Sequence, residues 1–286
     1  MTVESGALYV VATPIGNLED ISIRALRVLR EVNCIAAEDT RHTGQLLRHF
    51  GIETPLLSLH QHNELARLEQ IVARLLAGQS IALVSDAGTP LISDPGFPLV
   101  RELRRRGLSV IPVPGPSSLL AALSVAGLPT DRFVFEGFLP AKRAARCERL
   151  RTLAREDRTM VFFEASHRVA ETLADMMVEF GGERPAVIAR ELTKRFEDVY
   201  GASLSDLSAW LEVDANRQKG EFVLVVRGAP ATSEVDTLEN RRLLTALLAE
   251  LPTSRAVAVT AHLTGLRKKP LYDLALALGQ QQSTEE

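Results

Sequence analysis

The apolar run Ile81-Ala82-Leu83-Val84 breaks directly into Ser85-Asp86-Ala87-Gly88-Thr89-Pro90, and the loop continues through Ile92-Ser93-Asp94-Pro95-Gly96 into a helical pattern over 97–106. Four apolar residues ending in Gly and Pro read as a strand that turns into a stiff loop with bare backbone. On such a loop a small ligand can approach main-chain N–H and C=O groups closely. Asp94 before Pro95 reads as an N-cap followed by a first helical residue. The arrangement recurs. The run 8–12 ends in Thr13-Pro14-Ile15-Gly16-Asn17, the run 108–111 ends in Pro112-Val113-Pro114-Gly115-Pro116-Ser117-Ser118, and 34–37 runs into Glu38-Asp39-Thr40-Arg41. In a parallel sheet all four strand ends lie on one edge. One such loop is equally well a plain turn; four after successive strands favour a shared binding crevice.

With 286 residues, 46% of them hydrophobic, the chain has enough apolar surface for two domains and an appendage. Residues 7 to about 130 alternate strand-like and helical segments, with helices expected at 21–30, 64–76, 97–106 and 117–126. The pattern resets at Thr130-Asp131. Strands are then expected at 133–138, 159–164, 185–190 and 221–227, and helices at 142–155, 168–180 and 205–211. The stretch 220–228 reads as an edge or antiparallel finish. A small, polar linker at 229–233 precedes three helical patterns at 235–251, 254–263 and 268–278, and the end, 279–286, is expected to fray. The tail is either a helical cap on the body or a helix-turn-helix entered by Arg267-Lys268-Lys269. The expected division is 1–130, 131–229 and 230–286: two α/β domains and a small all-helical tail.

Charge and cysteines exclude several classes. Lys and Arg number 33 against 36 Asp and Glu, a net charge of −3, so any contact with nucleic acid must come from local patches. Cys34 and Cys147 stand far apart without C-x-x-C spacing, which argues against a disulfide framework or a zinc site. The apolar stretch 119–128 is interrupted by Ser124 and Gly127 and is far below the ~20 residues of a membrane span. Residues 1–6 show no basic-then-apolar leader, so a cytoplasmic location is expected. There is no phosphate-binding G-x-x-x-x-G-K-[ST] loop and no G-x-G-x-x-G dinucleotide fingerprint.

Together, ATPIGNL at 12–18, EDTR at 38–41, SDAGTP at 85–90 and PGPSS at 114–118 resemble the tetrapyrrole (corrin/porphyrin) methylase superfamily, whose members use S-adenosylmethionine. FEGFLP at 135–140, EASHR at 164–168, ARELTKRFED at 189–198 and KGEFVLV at 219–225 extend the likeness over almost the whole chain. It is strongest to the branch that methylates a ribose 2′-hydroxyl of 16S ribosomal RNA. The resemblance implies S-adenosylmethionine in a cleft between two α/β domains, surrounded by Pro14, Gly16, Asp86, Ala87, Gly88, Thr89, Pro116, Ser117 and Ser118. The helix starting at Ser117-Ser118 would offer N–H groups to the ligand's carboxylate. It further implies 16S rRNA or the 30S subunit as substrate, the cytidine at position 1402 as target, a homodimer, a nucleic-acid-reading tail and no metal. The alternative is a methylase of a small tetrapyrrole of the precorrin or uroporphyrinogen type; the helical tail and a basic run at 142–158 speak against it.

Methyl transfer to an alcohol is one in-line displacement. Alignment contributes up to ~7–11 kcal/mol and a single base ~10²–10⁴-fold, so no conspicuous catalytic triad is expected. Glu38, Asp39, Asp86 and Glu221 are candidates for handling the hydroxyl proton, and Lys219, Lys194 and Arg41 for polarising it or holding phosphate. Glu38–Arg41 lies at a strand end where a carboxylate can face the cleft; the competing reading is an ion pair that ties the loop. Lys219 and Glu221 bracket Gly220 at a strand entry, and their interest rests mainly on the resemblance. The run His60-Gln61-His62-Asn63-Glu64 reads as a polar loop with Asn63 capping a helix rather than as a metal site, and His167 as a helix-capping residue. Lys142, Arg143, Arg146 and Arg149 fall on one broad helical face, with Arg151, Arg155 and Arg158 beyond them. That run is either a solvated face or a phosphate-steering surface, extended by Arg104–Arg106 and by Arg267, Lys268 and Lys269.

Overall fold

The computed structural model describes residues 2–60, 63–230 and 238–282. Contacts divide the chain into two units, Met1–Arg227 and Gly228–Glu286. Among the described residues no helix is long and apolar enough to cross a membrane.

Five short strands of the first unit form a wholly parallel sheet: β1 (Ala7–Val11), β2 (Cys34–Ala37), β3 (Leu56–Ser58), β4 (Ile81–Val84) and β5 (Ser109–Val113), in the order β3-β2-β4-β1-β5. Side chains alternate between faces, so each strand feeds two layers. Tyr9, Val11, Ile35 and Val84 pack with α1 (Ile23–Glu31) and α2 (Thr40–His49). Leu8, Cys34, Ala36 and Leu83 pack with α3 (Glu64–Leu76) and α4 (Phe97–Arg105). The chain thus leaves β1 for one layer and its neighbour β4 for the other. Their carboxyl ends diverge around a crevice, the place where open parallel sheets bind ligands.

α5 (Ser118–Val125) carries the chain out of this sheet. Its Leu119, Ala122 and Leu123 join Val161, Val187 and Val223 of a second sheet, and Ile15 from the loop after β1 enters the same cluster. One apolar cluster therefore fixes the first sheet's loops against the second sheet. That sheet contains β6 (Phe133–Phe138), β7 (Thr159–Ala165), β8 (Pro185–Arg190), β9 (Asp198–Ser203) and β10 (Glu221–Val226) in the order β6-β7-β10-β8-β9. Only β6 and β7 run parallel; the remaining pairs are antiparallel. α6 (Arg143–Leu153), α7 (Val169–Phe180) and α8 (Leu204–Val213) cover its other face through Leu150, Leu173, Met176 and Leu207.

The mixed α/β class and the strand-to-loop order agree with expectation, and four features do not. β10 is a central strand, not an edge: Phe222, Leu224 and Val226 face one layer while Val223 and Val225 face the other, the continuous burial of an interior strand. β3 and β9 were not expected as strands, nor α2 as a helix. Asp94 and Pro95 do not open α4. Its N-cap is Gly96 (φ 125°), and Asp94 is drawn back toward the Ser85 hydroxyl through a turn with Leu91 and Ser93 at positive φ.

The expected basic face on α6 is largely consumed by ion pairs. Arg146 is 1% exposed and bonds Asp175 at 2.7 Å and Glu171 at 3.2 Å. It belongs to the core, because its partners lie on α7 and four charged groups, Arg143, Arg146, Glu171 and Asp175, close a polar network there. Arg143 shares Asp175 at 2.9 Å, Arg149 pairs with Glu136, Arg151 with Glu179 and Arg158 with Glu156. Among the described residues Lys142 and Arg155 remain exposed without a carboxylate partner. Arg105 and Arg106 bond Glu102, and Arg106 also Glu69, so they add little open charge.

The second unit holds α9 (Leu238–Glu250), α10 (Thr253–Thr264) and α11 (Lys268–Gln282) around Leu244, Val257, Leu271 and Leu274. Gly265 at φ 72° makes the left-handed C-cap that turns α10 toward α11. Arg267, Lys268 and Lys269 are exposed at the entry to α11. Residues 231–237 and 283–286, which include most of the expected linker, the start expected for α9 and the end of the tail, lie outside the described residues, as do Gln61 and His62.

Candidate active-site cleft

The four loops on the first sheet's edge are stitched to one another. Thr13 and Gly88 exchange both backbone hydrogen bonds, Thr13 N–H to Gly88 O at 2.9 Å and Gly88 N–H to Thr13 O at 3.0 Å. The Thr89 hydroxyl donates to Pro116 O at 3.0 Å, and the Asp39 N–H donates to the Asp86 carboxylate at 3.0 Å. Gly88 has a positive φ of 80°, and a Cβ there would lie 3.3 Å from the Ile15 side chain, so this joint requires glycine. Gly88, Thr89, Pro116 and Ser117 therefore act as framework. Neither of the two cavities they support is lined by them.

The first cavity, about 380 Å³, is mostly apolar. Ile15, Phe138, Phe163, Leu192 and Phe222 wall it, with Glu164, Ser166 and Ser118 as polar points. The Glu164 carboxylate is fixed by the Thr172 hydroxyl at 2.6 Å. Ser117 caps α5 without a side-chain hydrogen bond, so the first N–H groups of that helix are unserved by a side chain. The second cavity, about 440 Å³, is as apolar over its surface as the first but gathers more polar side chains, and is termed the polar cavity for them: Asp86 and Lys194, beside Pro14 and Gly16, face His42, Gln45 and His49 of α2. Ile15, Ala87 and Glu221 line both cavities and so mark their seam. Both volumes fall in the ~300–1,000 Å³ range of small-molecule sites.

Lys194 controls the seam. Its ammonium lies 2.9 Å from Glu191 and 2.9 Å from Glu221. Burial alone would lower its pKa, yet the two carboxylates outweigh that and hold it above the usual lysine value. Burial likewise opposes ionisation of Glu191, and Lys194 reverses the balance. The backbone here is built for that contact. Glu191 (φ 50°) and Thr193 (φ 66°) take left-handed conformations uncommon for such residues. Gly220, at φ 101°, lets the Lys219–Glu221 segment press onto Glu191, where a Cβ would fall 2.5 Å from its carboxylate.

The proposed proton-handling residues separate in three dimensions. Asp39 is the N-cap of α2, accepting from the N–H groups of Arg41 at 2.8 Å and His42 at 3.4 Å. Hydrogen bonds from Arg41 pull its pKa down to about 2, so it is no base near neutrality. Arg41 points to solvent with 89% of its side chain exposed. Burial and the nearby Asp94 and Asp86 raise the pKa of Glu38. Lys219 bonds Asn216 at 3.0 Å and lines neither cavity. Glu221 and Asp86 do line the cleft. Ser166 lines the apolar cavity where His167 was considered. Asn63 stands at the N-cap of α3, but its amide bonds His60 and Ser58 instead of the helix. The aromatic wall Phe138, Phe163 and Phe222 and the α2 row His42, Gln45 and His49 had no expected role. Phe138 and Phe222 sat inside quoted motifs, and the α2 row was legible only as helical spacing in a segment, 42–49, to which no element was assigned.

Comparisons with known proteins match this architecture. Residues 7–208 match the family described as Tetrapyrrole (Corrin/Porphyrin) Methylases, and residues 234–279 match the RsmI C-terminal HTH domain. A protein of Pseudomonas aeruginosa named ribosomal RNA small subunit methyltransferase I is 56% identical over 274 residues, 95% of this chain and 97% of that one. Proteins of the same name from Escherichia coli O157:H7 and Synechocystis sp. are 52% and 48% identical, over 95% and 96% of this chain and 95% and 98% of theirs. Among solved structures, uroporphyrin-III-C-methyltransferase from Thermus thermophilus superposes with a TM-score of 0.54 at 24% identity, covering 78% of this chain and 94% of its own. Diphthine synthase superposes at 0.58 with 18% identity, over 78% and 90%. At these identities the solved structures speak for the fold alone.

Proposed function

Because the chain belongs to the tetrapyrrole methylase family and matches relatives named ribosomal RNA small subunit methyltransferase I over nearly its whole length, we propose that it methylates a ribose 2′-hydroxyl of 16S rRNA with S-adenosylmethionine as donor. The target is the cytidine at position 1402, presented by naked rRNA or the 30S subunit, in the cytoplasm. The enzyme works as a homodimer paired through its N-terminal domain. Its working division is 1–130, 131–229 and 230–286, the last part reading RNA.

One observation carries the reading: two cavities, one walled by aromatic rings and one lined by the ionisable and amide side chains of α2 and Lys194, meet at Ile15, Ala87 and Glu221. A transfer between two substrates needs such a seam, so that donor and acceptor atoms align. The residues fit the cofactor. Phe138, Phe163 and Phe222 suit a nucleoside, and Ser118 and the open N-terminus of α5 suit a carboxylate, while the Gly88 joint holds the loops around them. When bound, S-adenosylmethionine supplies a methyl group activated by its sulfonium. Glu221 accepts the hydroxyl proton at the seam, with Lys194 holding the carboxylate in place; Asp86 orients the acceptor from the opposite side. Ile15 and Ala87 give the seam apolar surface beside these groups.

A small polycarboxylate tetrapyrrole fits less well. Lys194 is already engaged by two carboxylates, and Asp86 adds a further negative charge to the polar cavity. The test is transfer of labelled methyl from S-adenosylmethionine to unmodified 30S subunits, naked 16S rRNA and uroporphyrinogen III in parallel. Label on RNA in either form supports the proposal; label on the tetrapyrrole alone sinks it.

A further inference from the structure

We infer that the face of α2 turned to the polar cavity seats a single unpaired pyrimidine nucleotide, its base read by Gln45 between His42 and His49. This inference rests on the RNA methyltransferase reading and specifies its acceptor site. Residues 42, 45, 46 and 49 stand at i, i+3, i+4 and i+7, the spacing that puts side chains in one stripe along a helix. All four line the polar cavity. The opposite face of α2 carries the packing, with Leu47 3% exposed and Thr43 2% exposed.

The stripe is not spent on the fold. Among the described residues the side chains of His42 and Gln45 make no hydrogen bond within the protein, although each lines a concave site. Their chemistry matches a base. The Gln45 amide presents a donor and an acceptor side by side, as the edge of a pyrimidine requires, and imidazole planes stack on bases splayed out of an RNA strand. Leu46 and Leu18 supply an apolar floor.

The surroundings supply an exit for the backbone. Past His49 the wall continues into a shallow depression formed by Asn17, Glu19, Thr193, Lys194 and Arg195, in which two cations face one carboxylate. Arg195 lies over the Phe196 ring, 5.6 Å from its centre, and has no carboxylate partner among the described residues. A phosphate flanking the nucleotide meets that guanidinium. With the base on α2 and the phosphate at Arg195, the ribose falls over Ile15, Ala87 and Glu221. An acceptor hydroxyl belongs there.

The test uses full-length Gln45→Ala and His49→Ala, with thermal unfolding as a control for folding. Calorimetry with S-adenosylmethionine is expected to give the affinity of the unaltered protein, since neither residue lines the apolar cavity. Steady-state methylation of unmodified 30S subunits is expected to lose about 5- to 150-fold in kcat/KM, chiefly through KM, the range for losing one base-stacking or base-edge contact. Subunits carrying uridine in place of the target cytidine are expected to lose a similar factor with Gln45→Ala, because an unanchored amide turns to meet either pyrimidine edge. Unchanged kcat/KM in both variants, or a loss confined to cofactor affinity, overturns the assignment of the α2 pocket alone. No transfer by the unaltered protein to any RNA removes the methyltransferase reading and this pocket with it.

Discussion

Lys194 ties Glu191 and Glu221 together at the seam of two cavities, and that placement sets what each residue is worth. Removing its charge leaves two carboxylates without a counter-ion beside the reacting atoms. Lys194→Met is expected to lower the single-turnover rate by about 10²-fold or more, with Asp39→Asn nearly without effect on the same step. A rapid-quench comparison checks both. Asp39 also gives a pH prediction of definite sign. Its folded-state pKa of about 2 lies below the ordinary aspartate value, so its stabilising effect is complete above that ordinary value and disappears as pH falls toward 2. Unfolding of Asp39→Asn and of the unaltered protein should therefore converge only in strong acid, while the pH–rate profile near neutrality keeps its shape. Sequence offered Glu38 and Asp39 as equals. Only the fold distinguishes them, because capping α2 takes one carboxylate and burial near Asp86 and Asp94 takes the other.

Elements explain which sequence expectations held. The loops after β1, β4 and β5 were legible because Gly and Pro must stand where backbone is exposed at a strand end. β3 has three residues and β9 a polar, glycine-containing run, so neither offers periodicity to read. β10 reads in sequence as an edge or antiparallel finish; it is antiparallel to both neighbours but interior, as its five successive buried residues signal. On α6 the helical spacing of arginines was plain, yet their partners on α7 are close only in the folded chain. Arg146→Met together with Arg143→Met should destabilise the protein by about 3–5 kcal/mol in urea unfolding, since only the pair strands the buried Asp175, and adding Asp175→Leu should recover much of that loss. Lys142→Ala with Arg155→Ala, the cations flanking α6 that have no carboxylate partner among the described residues, should leave stability intact and reduce the salt dependence of subunit binding by about one to two charges.

Across the whole molecule the first unit holds the chemistry and the second carries exposed cations at the start of a helix. Lys268 and Lys269 in the first turn of α11 oppose the helix dipole, a cost that internal stability does not explain. Reversing Arg267, Lys268 and Lys269 to Glu should weaken 30S binding and flatten its salt dependence while cofactor affinity in calorimetry stays unchanged. The central claim concerns the atom that is methylated. Labelled RNA from the 30S reaction, hydrolysed in alkali, decides it, because strand cleavage needs a neighbouring free 2′-hydroxyl. Label is expected in alkali-resistant dinucleotides that begin with cytidine. Label released in mononucleotides would place the methyl on a base and contradict it.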